Sequence, residues 1–202
     1  MKRRELIKLI GGVLAAWPLP AMAQQSARVK HIGALMSLDE NDPQSKVYVE
    51  ALLQGLQKLG WSIGRNLRID YRWTAGEAER VRKYGAELIA LSPDLLFTVG
   101  GSQVGPLQRA TRTIPIVFVQ VADAVGGGFV KSLAKPGGNA TGFTNFEFDI
   151  STKWLEMLKQ MSPRMTRCAV LRDPANPSGI GLFGSIQGVA SSFGVEVSPV
   201  SL

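Results

Sequence analysis

Polar residues directly after the predicted strands are the part of this sequence best placed for chemistry. Hydroxyl, amide and backbone N–H groups are frequent there, at Ser37 and residues 39–42, 100–103, 122–128, 144–145 and 173–178. In an open α/β sheet, ligands bind outside the carboxyl ends of the strands, where loops and helix N-termini converge. These groups suit a small polar ligand with a carboxylate, held by N–H donors at helix N-termini.

The single His and the single Cys limit the reactions that the sequence can support. A lone Cys forms no internal disulfide and no cysteine-based zinc cluster, and a lone His excludes a histidine-rich metal site. Cys168 lies in the middle of an apolar run, which is typical of a buried, inert thiol, and His31 lies inside the first strand. Asp123 could act as a general base, but no partner acid or nucleophile accompanies it, so a turn or a contact with a ligand amine is favoured. No catalytic constellation emerges from these residues.

One glycine-rich segment and one basic segment fail to match nucleotide or nucleic-acid motifs. Residues 100–105 read GGSQVG, which departs from G-x-G-x-x-G and follows the third strand rather than the first. The basic residues between Arg65 and Lys83 are interleaved with Asp70, Glu77 and Glu79, and no aromatic platform accompanies them. They indicate a solvated surface, so we expect no nucleic-acid partner.

Short apolar runs alternate with helical segments, and these elements must position the polar loops. Strands are predicted over residues 29–36, 67–72, 95–99, 116–121, 140–144, 167–171 and 195–200. Helices are predicted over 43–59, 77–91, a short segment capped by Ser102, one or two turns in 129–134, then 151–161 and 179–193. This alternation predicts an α/β fold with parallel sheets flanked by helices on both faces. The polar residues between Leu67, Ile69 and Tyr71 mark a half-exposed strand near a sheet edge.

The first 23 residues have the features of a cleaved export signal. Three basic residues (2–4) precede an apolar stretch over 9–19, and residues 21–23 (AMA) supply the small side chains that a signal peptidase reads. The stretch is shorter than the roughly 20 residues that span a bilayer. Residues 3–8 (RRELIK) fit the twin-arginine pattern, with an ordinary Sec signal as the alternative. Cleavage after Ala23 would leave 19 basic and 15 acidic side chains, a net charge of +4.

Five segments spread over the whole chain resemble, in sequence and in order, segments of a known protein family. They read KRRELIKLIGG, then HIGALMS, LLQGLQKLGWSIGRNLRIDYRW, IPIVFVQVADAVGGGFVKSLAKPGGNATGFTN and CAVLRDPANP. In this order they resemble the substrate-binding proteins of a bacterial ABC-transporter family, the group related to the tryptophan and tyrosine uptake binding proteins. The blocks LGW…GRNLRIDYRW and KPGGNATG are the most specific part of the resemblance.

The resemblance implies a periplasmic-binding-protein fold, in which two Rossmann-like lobes close on a ligand and then dock on a membrane permease. It implies no catalytic residue and no cofactor. The expected function is that of an exported, periplasmic protein that captures a small polar solute, an amino acid or small carboxylate, for an ABC importer. The first lobe would cover 29–144 and a partial second lobe 145–202. Carried over by position, the ligand-binding candidates are Ser37, Ser102, Gln103, Asp123, Thr144 and Asn145 from the first lobe and Asn176 from the second.

Two features depart from the family pattern. Many members have Asp-Pro where this chain has Asp123-Ala124, which loosens a turn and weakens the assignment of Asp123. Family members also continue beyond the strand predicted over 195–200, so we expect an incomplete second lobe with apolar sheet surface exposed. The alternatives are a non-functional fragment of a binding protein, a periplasmic enzyme with Asp123 as base, and a binding protein that hands its ligand to a receptor.

Overall fold

Two parallel sheets organise residues 28–174 and 176–201, which are the residues described by a computed structural model of the chain. The first sheet has the strand order β2-β1-β3-β4-β5, built from β1 (Lys30–Met36), β2 (Leu67–Trp73), β3 (Leu95–Val99), β4 (Ile116–Ala122) and β5 (Ala140–Phe146). The second sheet pairs β6 (Arg167–Arg172) with β7 (Glu196–Ser201). The predicted α/β class is confirmed. The predicted signal, residues 1–23, lies outside the described residues.

Helices connect the strands and cover the sheets. They are α1 (Pro43–Lys58), α2 (Ala78–Ala90), α3 (Gly101–Ala110), α4 (Ile150–Met161) and α5 (Pro177–Ala190), the last followed by a 3-10 turn over Ser191–Phe193. α1 and α5 begin in the same way, because Asp42 and Asn176 each accept a backbone N–H from two residues on and each precedes a proline. A proline at the first helical position loses no helical hydrogen bond, so these sequences define clear helix starts. Over the described ranges, every helix is too short or too polar to cross a membrane.

Two local predictions are wrong. Ser102 is the predicted cap of α3, but the helix begins at Gly101 and its N-cap is Gly100, with φ 95°. The chain leaves β3 through a left-handed conformation that glycine adopts at little cost, so the helix begins earlier than the hydroxyl residue suggests. Residues 129–134 form no helix, because the N–H groups of Phe129 and Val130 bond the carbonyl of Ala124 (2.9 and 3.1 Å) and close a glycine-rich turn.

Both faces of the first sheet are packed. α2 and α3 cover one face, where a large apolar cluster buries side chains such as Leu35, Leu96 and Phe118. α1 covers the other face, where Met36 and Phe97 lie in a second cluster. Because β1, β3 and β4 contribute to both clusters through alternate residues, the register of these strands is fixed by burial on both sides.

The second sheet is packed more sparsely among the described residues. Leu155 of α4 and Ile186 of α5 form a small buried cluster with Val195, and Cys168 packs against it. An apolar stripe on the outer side of α4 stays exposed, at Ile150, Trp154, Met157, Leu158 and Met161, and Leu171 of β6 is 67% exposed. The apolar sheet surface that the sequence predicts to be exposed is seen at Leu171, whereas most of the exposed apolar side chains lie on α4 instead.

β2 is an outer strand of the first sheet, as its alternating sequence predicts. A polar cluster fastens it to β1. The Asp70 carboxylate lies 2.6 Å from Nε2 of His31 and 2.8 Å from the guanidinium of Arg68. Burial of Asp70 raises the pKa of its carboxyl, but the hydrogen bonds from Arg68 and His31 outweigh this effect, so the net pKa falls below its usual value of 3.8.

We expect the Asp70→Asn variant to lose about 1 kcal/mol of unfolding free energy at pH 7, because it removes the charge-assisted hydrogen bonds of a carboxylate that is only partly exposed. A carboxyl with a lowered folded-state pKa contributes stability above the unfolded-state value, and this contribution disappears as the pH falls through the folded-state pKa. Urea unfolding at pH 7 and at successively lower pH values below about 4 should show the difference from wild type shrinking. The exposed Glu50→Gln serves as the control, and a gap for Asp70→Asn that stays constant with pH would contradict this account.

Candidate ligand cleft

A cavity of about 770 Å³ lies at the carboxyl ends of strands from both sheets. Its lining includes Ser37 after β1, Gly100 after β3, Phe146 at the end of β5 and Asp173 after β6. The first residues of α2, α3 and α5 also reach it. The cavity therefore occupies the position where open α/β sheets bind ligands, and residues from both sheets form its walls.

Four of the seven predicted site residues line this cavity, namely Ser37, Ser102, Asn145 and Asn176. Nδ2 of Asn145 donates to Oε1 of Gln120 at 2.5 Å, and Gln120 lines the cavity too. Ser37 and Ser102 make no side-chain hydrogen bond to another described residue, which leaves their hydroxyls able to bond a ligand. Hydroxyl and amide groups from both sheets thus converge on one space.

Gln103 lies beneath the cavity rather than along it, with none of its surface exposed. In the orientation of the amide that satisfies its neighbours, Nε2 donates to the carbonyls of Leu35 (3.0 Å) and Val99 (2.9 Å). Oε1 then accepts the N–H of Ser37 at 3.1 Å. The side chain therefore connects the carboxyl ends of β1 and β3 and holds the backbone of Ser37 at the cavity floor.

Asp123 and Thr144 also lie outside the cavity lining. Asp123 has φ 41° and its carboxylate accepts the N–H of Gly126 at 2.6 Å and that of Phe148 at 3.3 Å. It is thus a turn residue that fastens the segment leading into α4. Thr144 pairs with Val121 in the ladder between β4 and β5.

The sequence reasoning missed several residues of the cavity wall. Arg82, Arg109 and Phe129 line it, and the Phe129 ring packs beside the glycines at the start of α3. On α3 the lining residues Ser102, Gly105, Pro106 and Arg109 follow a spacing of three or four, so they share one helical face. Extending the helical period from Ser102 would have identified Arg109; nothing in the local sequence marks Phe129.

The electrostatics of the cavity favour an anionic group. Helix N-termini carry a partial positive charge and free N–H groups, and the starts of α3 and α5 both reach the cavity. Arg82 and Arg109 add two cationic side chains, against the single carboxylate of Asp173. Within residues 28–174 and 176–201, no group of three His, Cys, Asp or Glu side chains is arranged to hold a metal ion.

The sequence matches a family model described as ABC transporter substrate binding protein over residues 34–202. The chain belongs to this family. The resemblance to ABC substrate-binding proteins that the sequence indicates is thereby confirmed. A tyrosine-binding protein of Clostridioides difficile (strain R20291) is 26% identical over 185 residues, which cover 85% of this chain and 52% of the relative. This substrate-binding protein spans about half the length of that curated relative.

Solved structures agree with the family. A conserved domain protein from Vibrio cholerae O1 biovar El Tor str. N16961 matches with a TM-score of 0.74 at 25% identity, covering 87% of this chain and 58% of that chain. The ABC domain in complex with L-Trp from Streptococcus pneumonia matches with a TM-score of 0.72 at 22% identity, covering 86% and 57% respectively. The predicted fold, parallel sheets flanked by helices as in periplasmic binding proteins, is confirmed.

We expect Gln103→Leu to lower the free energy of unfolding by about 2–3 kcal/mol, because the buried Leu35 and Val99 carbonyls and the Ser37 N–H lose their partner. Denaturant unfolding monitored by circular dichroism measures this loss. Gln57→Leu, at an exposed position of α1, is the matched control and should change stability by less than about 0.5 kcal/mol. Equal effects of the two substitutions would show that the Gln103 amide does not hold the strand ends.

Proposed function

We propose that this substrate-binding protein captures a small polar solute, an amino acid or small carboxylate, in the cavity between its two sheets. The observation that carries the proposal is the composition of the cavity wall. Ser37, Ser102 and Asn145 from the first sheet and Asn176 from the second face one space at the starts of α3 and α5. Hydroxyls, amides and helix N-termini are the groups that bind a carboxylate and a neighbouring polar group together.

The proposed mechanism is closure of the second sheet over a solute that first binds the wall of the first sheet. The connection between the sheets passes through Phe148, whose N–H bonds Asp123 and whose ring occupies the space that a side chain at Gly181 would need. Such a defined connection can act as a hinge, because a few residues between packed elements absorb the change in backbone angles. A solute shifts the open–closed equilibrium only by the difference between its affinities for the two states.

The proposed setting is the periplasm, after export through the N-terminal signal, with the permease subunits of an ABC importer as partners. Membership of the substrate-binding family supports this setting. The names of two relatives, a tyrosine-binding protein and a domain in complex with L-Trp, support an amino acid or a similar carboxylate as the solute class. An enzyme with Asp123 as base receives less support, because that carboxylate accepts two backbone N–H groups and lies outside the cavity lining.

A thermal melt of the chain without residues 1–23, alone and with a panel of amino acids and small carboxylates, tests the proposal. We expect one solute class to raise the melting temperature, because binding to the folded state alone stabilises it by mass action. Calorimetric titration of that solute should then show about tenfold weaker binding for Ser37→Ala and Asn145→Ala, each of which removes one hydrogen-bonding group from the cavity.

Thr144→Val is the matched control, since Thr144 is a predicted site residue that the structure places outside the cavity. It should bind the solute as tightly as wild type. A melt that no solute changes would contradict the proposed function and favour the fragment alternative.

A further inference from the structure

A second, smaller cavity adjoins the large cavity of the ligand cleft. It has a volume of about 290 Å³, lies between α2 and α3, and is called the groove below. Val81, Arg82, Pro106 and Arg109 line both this groove and the large cavity. Because four residues border both spaces, a ligand that occupies the cleft can extend into the groove without crossing a separate wall.

The floor of the groove is apolar and closely packed. Val81 and Leu107 are buried, at 4% and 1% exposure. A side chain at Gly85 would place its Cβ 3.2 Å from Leu107, so the glycine allows the two helices to approach. A hydrocarbon segment fits such a floor, whereas a polar segment would lose hydrogen bonds to water there.

Two arginines supply the charge at the border of groove and cleft. Arg109 has no hydrogen bond or ion pair with any described residue, and its Nη1 lies 3.4 Å from the position a Cβ would take at Gly105. The guanidinium therefore folds back along α3 toward the cleft, which Gly105 also lines. The carboxylate of Glu79 lies 4.0 Å from Arg82, and both side chains are largely exposed. Such a surface pair contributes little, so the charge of Arg82 stays available to a ligand.

The geometry points to an elongated solute with two anionic groups, such as a linear dicarboxylate, as the ligand class of this site. This inference rests on the proposed function. One carboxylate would bind at the starts of α3 and α5, an apolar spacer would lie against Val81 and Pro106, and the second carboxylate would pair with Arg82 and Arg109. Guanidinium groups bind carboxylates through paired, charge-assisted hydrogen bonds, which makes two of them from neighbouring helices a selective clamp.

Calorimetric titration at low ionic strength tests the clamp with matched acids. Succinate, glutarate, adipate and pimelate are each compared with the monocarboxylate of the same carbon number. In wild type, at least one diacid should bind about tenfold more tightly than its partner. Arg82→Gln and Arg109→Gln should each reduce that preference to about twofold or less, because each weakens the binding of the diacid more than the binding of the monocarboxylate. Arg112→Gln removes the same charge from a residue outside both cavities and should leave the preference intact.

The outcomes separate this inference from the proposed function. Equal binding of every diacid and its monoacid in wild type, or an equal loss in Arg112→Gln and the two cleft variants, overturns the clamp alone. If no acid binds but an amino acid still raises the melting temperature, the clamp is wrong and the proposed function stands. If no solute of either panel binds, both are overturned.

Discussion

The buried amide of Gln103 is the interaction on which the rest of the cleft depends. It bonds the carbonyls of Leu35 and Val99 and the N–H of Ser37, so it holds two strand ends at a fixed separation. The hydroxyl of Thr74, which follows β2, bonds the carbonyl of Met36 at 3.0 Å beside it and extends the connection to a third strand. Strand ends lack the ladder partners of strand centres, and a buried unpaired backbone group is costly. One side chain from α3 therefore adds hydrogen bonds to buried backbone groups at the ends of both strands.

A second set of contacts sets the position of the other wall. The Asp123 carboxylate bonds the N–H groups of Gly126 and Phe148, and the hydroxyl of Ser151 bonds the carbonyl of Leu182 at 2.9 Å. These bonds link the end of β4 to the start of α4, and α4 to α5. The start of α5, with Asn176, is thereby carried to the cavity. Few hydrogen bonds between described residues cross this region, which supports the proposed closure of the second sheet over a solute.

Much of this fold is predictable from sequence, because most strands are short apolar runs, β2 alternates apolar and polar residues, and the major helices show helical spacing. The cleft residues Ser37, Ser102, Asn145 and Asn176 were predicted because the carboxyl ends of parallel strands meet at one edge. The position after β3 and the family resemblance also predict Gln103 in the cleft, but α3 turns its side chain toward the sheet. Asp123 and Phe129 depend on a turn that closes through backbone hydrogen bonds, which residue types alone do not reveal. Arg82 belongs to the cleft only because α2 packs beside α3, a tertiary contact that its own segment does not encode.

We propose that one cavity, walled by both sheets, holds the solute. Hydrogen exchange measured by mass spectrometry, with and without a solute that raises the melting temperature, tests this claim most directly. Added solute should slow exchange together in the segments 100–106 and 176–182, which start α3 and α5, and leave α1 unchanged. Slower exchange confined to one of these segments, or centred on the exposed side of α4, would contradict a cleft that binds its solute from both walls.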